Sequence, residues 1–218
     1  VGKFLLEKDV ALMKEKSKEL VVKYFKIEFK NGDISTGRNR LIFEVANRFV
    51  NNFLAKEKEL LKDKNNQLKI LATEENLSAE ITIKGIDFPV KLHGQVDRVD
   101  ELNGTIRIID YKTGKVESRE LKVLDTEMLR ENEQYKAMQV LLYGYLYSKN
   151  KQHNFSKPLE AGIYSFKNLN SGFLPINFSS KPKQPDTLIT EEKLEEFLVE
   201  IKSYIKELLE VTIPFIEP

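Results

Sequence analysis

The hydrophobic pattern changes period along the chain. In "EKDVALMKEKSKELVVKYF" (7–25), Val10, Leu12, Met13, Leu20, Val21 and Tyr24 recur broadly at helical spacing. "RLIFEVANRFVNNFLAKEKELL" (40–61) sets Leu41, Val45, Phe49, Phe53 and Leu54 on one side of a second helix. Turn-rich "NGDISTG" (31–37) separates the two, and polar "KDKNNQ" ends the second. From 68 to 112 four strand-like runs follow: "LKILATEE", "SAEITIKG", "FPVKLHGQVDRVD" and "GTIRIIDYK". "ENEQYKAMQVLLYGYLYSK", from about 131, reads as a helix apolar on more than one face, hence buried between layers. "LEAGIYSF" is a further strand, "SGFLPINF" its hairpin partner and "SSKPKQPD" a linker. In "TEEKLEEFLVEIKSYIKELLE" Thr190 caps a helix striped by Leu194, Phe197, Leu198, Ile201, Ile205 and Leu208. This order predicts an α/β fold: a central mixed β-sheet flanked by helices, with an N-terminal helical segment. The expected division is 1–66 for that segment, packed on the core, 67–180 for the core, and 181–218 for linker and last helix, all one domain.

Composition narrows the class. The chain has 218 residues, enough to bury a substantial core, and 32% are charged. No run approaches ~20 apolar residues, so no membrane span is expected, and "VGKFLLEKDV" has no signal-peptide pattern. Cysteine is absent, which excludes disulfides and thiolate metal sites and suits a cytoplasmic location. The start at Val1 rather than Met reads as an excised fragment or a processed chain. A net charge of +1 does not advertise a nucleic-acid coat, but acidic metal ligands can cancel a basic groove in the total.

The informative stretch is 92–112. Asn103-Gly104 signals a two-residue hairpin turn, since type I′ needs positive φ at both central positions. Leu102 then pairs with Thr105, Asp100 with Arg107, and Asp97 with Asp110. Directly opposed carboxylates repel by roughly 3 kcal/mol at ~5 Å and an effective dielectric of about 20. Something positive between them, or a shared proton, is therefore expected. Lys112 is two residues from Asp110 on the same strand face, and a hard divalent cation such as Mg²⁺ is the other candidate. Two readings stay open here: an Asp–Lys–Asp charge cluster at a sheet edge, or a metal site in which two carboxylates hold the ion and an ammonium assists.

At these residues the chain resembles the RecB-like branch of the PD-(D/E)XK nuclease superfamily. The signatures are "GQVDRVD" (94–100), "DYKTGK" (110–115) and "QVLLY" (139–143), in the family's order and at plausible spacing. The resemblance implies a restriction-endonuclease-like core. It implies Asp97 and Asp110 as metal ligands, Lys112 as the catalytic lysine, and Glu80 as a further catalytic carboxylate. Gln139 and Tyr143, one helical turn apart, would position the site or the strand it cuts, although ordinary packing accounts for that pair as well. Arg98 and Lys115 are candidates for phosphate contact, with Arg98 on the opposite sheet face from Asp97. The implied cofactor is Mg²⁺, with Mn²⁺ as the alternative. The implied partners are DNA and a helicase subunit or domain. The implied activity is that of an exonuclease, or of the nuclease part of a helicase–nuclease repair system. The other reading is a nuclease-derived module that binds DNA or subunits without cutting.

Two departures stand out. Many RecB-like nucleases carry a histidine ligand on an early helix; "TGRNRLIFEVANRF" has none, and Glu44 and Asn39 are the polar residues nearby. His93 and His153 fit structural and loop positions better than ligand positions. Some relatives also continue into a cysteine cluster, whereas this chain stops at "IPFIEP".

Overall fold

The computed structural model describes residues 2–181 and 183–214. Pro182 of the expected linker, and 215–218 of the last stretch, lie outside the described residues. Two long helices come first, α1 (Glu7–Glu28) and α2 (Gly37–Lys62). Strands β1 (Leu68–Ile81), β2 (Val90–Leu102) and β3 (Thr105–Lys112) follow. Short 3₁₀ turns lead into α3 (Tyr135–Asn150), then β4 (Leu159–Ser165), β5 (Phe173–Pro175) and α4 (Glu191–Leu208). The five strands lie in chain order in one sheet, antiparallel except for the β3–β4 pair. That parallel pair requires a crossover, and α3 supplies it. The result is the mixed sheet with flanking helices of a restriction-endonuclease-like fold, with a helical N-terminal segment.

The two faces of the sheet carry different chemistry. On one, α3 and α4 cover an extensive apolar core: Val140, Leu141 and Leu146 meet Val99, Ile108 and Ile163, and Phe197 of α4 is fully buried. Apolar residues on several faces of α3 have partners because the helix lies between sheet and α4, as its pattern predicts. Thr190 caps α4 by accepting from the Lys193 N–H at 3.3 Å. On the other face, α2 lays Phe53 among Tyr111, Tyr164 and Phe166. Residues 2–5 protect the outer edge of β1: Gly2 N–H donates to the Ile70 carbonyl and Leu5 N–H to that of Leu68, both at 2.8 Å. Among the described residues no helix is long and apolar enough to cross a membrane.

The first half of α2 and the second half of α1 are less covered than their stripes suggest. Leu41 is 65% exposed, Tyr24 and Ile27 are largely exposed, and the pair is stapled by Phe25, Phe29 and Phe43. Helical periodicity identifies an apolar face but not whether anything covers it.

Two strand expectations need correction. "LKILATEE" and "SAEITIKG" are one strand, because polar Asn76 stays in the ladder opposite Gln95. Strict alternation also fails at one level of the sheet. Thr73 and its partner Arg98 line a cavity on the α2 side. Two residues away, Glu75 reaches Lys151 at the end of α3, and its partner Val96 sits in the α3-side core. Both strands therefore switch faces at Glu74 and Asp97. Glu74 takes a positive φ of 50°, strained for a residue with a Cβ, to make the switch.

Candidate functional site

The β2–β3 hairpin follows the Asn103-Gly104 register through Leu102–Thr105, Asp100–Arg107 and Arg98–Ile109, and there it stops. Beyond that point β2 continues with β1 through Val96–Glu75, while β3 continues with β4 as far as Lys112–Ser165. The sheet forks, and Asp97 and Asp110 stand one on each prong. They are not a ladder pair, contrary to the expectation. In a continued ladder the Tyr111 amide would belong to the Val96 pair. Instead it donates to Asp97 Oδ2 at 2.6 Å. A carboxylate has replaced a main-chain acceptor, and strand separation relieves the expected head-on repulsion.

Asp110 is 4% exposed, and Lys112 Nζ lies 2.9 Å from its Oδ2. That oxygen is buried with no directed hydrogen bond, so the pairing is electrostatic contact with an acceptor lone pair unspent. Burial pushes the Asp110 carboxyl above the usual aspartate range; Lys112 pulls it back, and Asp97 adds a smaller push upward. Lys112, one of the positive neighbours the sequence offers, thus stands beside Asp110.

The third component comes from α3. Lys112 Nζ donates to Gln139 Oε1 at 2.7 Å, and Gln139 Nε2 donates to the Tyr143 hydroxyl at 2.8 Å. The Tyr143 ring rests on Gly94 of β2, so closely that a Cβ there would lie 2.6 Å from its Cε1. One helix face thus touches both prongs, through Gln139 on β3 and Tyr143 on β2. The role of Gly94 escapes sequence reasoning, although the glycine belongs to the "GQVDRVD" signature; what it lies against is 49 residues away.

Other candidates fall elsewhere. Glu80 is exposed opposite Lys91, six residues along β2 from Asp97 and so roughly 20 Å away at ~3.3 Å per residue. Glu74 is the carboxylate nearest to the level of Asp97 on β1. Glu44 is exposed on α2, and Asn39 packs beside Gly32. His93 is exposed on β2; His153 packs between Tyr147 and Phe155 in a loop, its Nε2 3.2 Å from the Lys157 carbonyl. Lys115 is exposed and paired with Glu117 at 2.6 Å. Arg98 does not face solvent. It is 5% exposed, with Nη2 2.6 Å from Asp100 and Nη1 3.1 Å from Glu57, while Asp100 also holds Arg107 at 2.8 Å. Burial works against the Arg98 charge, but Glu57, Tyr111 and Asp100 hold its pKa above the ordinary value. Burial pushes the Tyr111 phenol up to about 12.

The fork suits a hard cation in part. Asp97 and Asp110 offer oxygen ligands, one with a buried unspent lone pair, and Mg²⁺ commonly takes one or two carboxylates and keeps several waters. No group of three or more His, Cys, Asp or Glu is placed to share an ion among the described residues. The ligand set is therefore lean. A cavity of about 620 Å³ lies not here but on the opposite face of the sheet, under α1 and α2.

No curated protein matches the chain. A solved structure, the crystal structure of SSO0001, aligns with 90% of this chain and 88% of its own at 15% identity, with a TM-score of 0.32. The sequence pattern of the PD-(D/E)XK nuclease superfamily matches residues 5–217. The match spans nearly the whole chain, helical segment and α4 included. With a forked mixed sheet carrying Asp97, Asp110 and Lys112 at its opening, this chain belongs to the PD-(D/E)XK nuclease superfamily, whose membership implies phosphodiester hydrolysis.

Proposed function

We propose that the chain is a Mg²⁺-dependent deoxyribonuclease of the RecB-like branch, acting as an exonuclease or as the nuclease part of a helicase–nuclease repair system. One observation carries the reading: a buried aspartate, a second aspartate and a lysine converge at the fork, and the lysine is held by a glutamine–tyrosine pair. A bare structural ion pair has no need of Gln139 and Tyr143. Asp97 and Asp110 would hold the ion, which when bound would lower the pKa of a water and offset charge on the phosphate. Lys112, held by its hydrogen bond to Gln139, would present its ammonium to the attacking water or a phosphate oxygen. Asp97 keeps one oxygen on the Tyr111 amide, which fixes its direction.

The lean ligand set favours a second reading, a module that binds DNA or a partner subunit without cutting it. The deciding experiment is cleavage of labelled single- and double-stranded DNA in Mg²⁺, in Mn²⁺ and in EDTA, beside Lys112→Ala. Metal-dependent cutting that the substitution removes supports the nuclease. A folded protein that binds DNA but cuts neither form supports the module.

A further inference from the structure

The β2–β3 ladder ends at the Arg98–Ile109 pair, and just past it the prongs are tied twice. One tie is the Tyr111 amide on Asp97 Oδ2 at 2.6 Å. The other lies on the α2 side of the sheet, where Arg98 Nη1 donates to the Tyr111 hydroxyl at 3.3 Å. Arg98 follows Asp97 in the chain, and Tyr111 stands between Asp110 and Lys112. The second tie therefore joins the neighbour of one aspartate to the neighbour of the other. It grips the fork from the face opposite Gln139 and Tyr143.

What holds Arg98 in place comes from α2. Glu57 Oε2 accepts from Nη1 at 3.1 Å and from Nη2 at 3.2 Å, and Nη2 also meets Asp100 at 2.6 Å. Asp100 already accepts from Arg107 Nε and Nη2, so Glu57 supplies the second carboxylate for two guanidinium groups. Glu57, Arg98 and Asp100 are each 5% exposed or less. A buried ion pair is weak evidence for stability, since apolar side chains of similar volume often replace one without loss. What a guanidinium adds is direction: its rigid planar fork fixes where Nη1 points once Glu57 holds both Nη groups.

We propose that Glu57 is a positioning residue for the fork: through Arg98 and the Tyr111 hydroxyl it sets the separation of the two prongs, and with it that of Asp97 and Asp110. The brace works from behind the site, and Glu57 itself touches neither aspartate. Its consequence for a bound ion rests on the nuclease reading, whereas its hold on the Tyr111 amide does not.

The test follows hydrogen exchange at the residue 111 amide in the metal-free protein. The Ile106 amide of the same strand, which donates to the Pro158 carbonyl at 2.9 Å, is the reference. Glu57→Met removes the acceptor at similar length, Glu57→Gln keeps one oxygen for both Nη groups, and Tyr111→Phe removes the hydroxyl but keeps the ring. Relative to Ile106, exchange at residue 111 is expected to quicken about tenfold in Glu57→Met and Tyr111→Phe and to hold in Glu57→Gln. Mn²⁺ affinity, measured without nucleic acid, should fall about tenfold in the same two variants and hold in Glu57→Gln. Equal quickening at residue 111 and Ile106 would mark Glu57 as a structural charge only and overturn the brace, as would unaltered exchange in Tyr111→Phe. An effect in Glu57→Gln as large as in Glu57→Met overturns it too. Faster exchange with unchanged Mn²⁺ affinity overturns the positioning role. Should the wild type bind no Mn²⁺, the nuclease reading fails and exchange alone decides the brace. Should Glu57→Met not fold, Tyr111→Phe and Glu57→Gln decide.

Discussion

A single methyl group at Gly94 tests whether α3 holds the fork. In Gly94→Ala the added Cβ would stand 2.6 Å from Tyr143 Cε1, 3.1 Å from its Cδ1 and 3.5 Å from Leu146 Cδ1. Carbon atoms pack best at about 3.5–4.0 Å, so the ring must retreat by about 1 Å. It is 8% exposed and flanked by core, and has little room to do so. Overpacking of this kind costs about 1–3 kcal/mol. Stiffening the unfolded chain returns about 0.4–1 kcal/mol, since Gly94 does not require a positive φ. The expected net loss is about 1–2 kcal/mol, up to roughly thirtyfold in the folding equilibrium. Activity should fall further than stability, because a displaced Tyr143 hydroxyl releases Gln139 and with it the hydrogen bond that holds Lys112. Urea unfolding in EDTA measures the first loss, and single-turnover cleavage at saturating metal measures the second. Tyr143→Ala completes a double-mutant cycle: without the ring, the methyl group should cost almost nothing, giving a coupling energy close to the overpacking cost. A penalty independent of the ring, or full turnover in Gly94→Ala, would refute the wedge.

Three other expectations follow from the same geometry. The raised Asp110 pKa means the folded state binds its proton more tightly than the unfolded state, so this group's contribution is complete below the ordinary aspartate value and is lost as pH rises through the raised one; Asp110→Asn should flatten that decline in urea midpoints taken across the acid range with EDTA present. Gln139→Leu should leave Mn²⁺ affinity near wild type while lowering kcat, since Asp97 and Asp110 are intact and Lys112 has lost its acceptor; a loss confined to metal affinity would contradict the assignment. Phe197→Ala should cost about 3–5 kcal/mol by urea unfolding, because the ring is fully buried between α4 and the α3-side core.

Most of the fold follows from local pattern because local physics forms it. Asn103-Gly104 demands a tight turn, the turn sets the register, and the register pairs Asp100 with Arg107 as observed. Thr190 and the stripe of α4 mark a helix that packs as expected, except that Leu208 at its end is 46% exposed. The break expected near residue 76 is absent because a polar residue in a half-exposed ladder costs little when its partner is polar too. Glu80 misleads for a related reason: its strand lies beside β2, but neither composition nor alternation says how far along.

What the sequence determined by itself was the order and kind of the elements, the hairpin register as far as Arg98, and the ordered signatures that mark the superfamily. Only the tertiary structure decided that the sheet forks between Asp97 and Asp110, and that Asp97 caps an amide instead of opposing a carboxylate. It also decided that Tyr143 seats on Gly94, and that Arg98 is sealed against Glu57, 41 positions away. Turns and periodic stripes arise from residues a few positions apart, whose geometry the backbone enforces. The fork exists because β2 is held by β1, β3 by β4, and α3 spans the gap, a competition among distant partners that no local window contains.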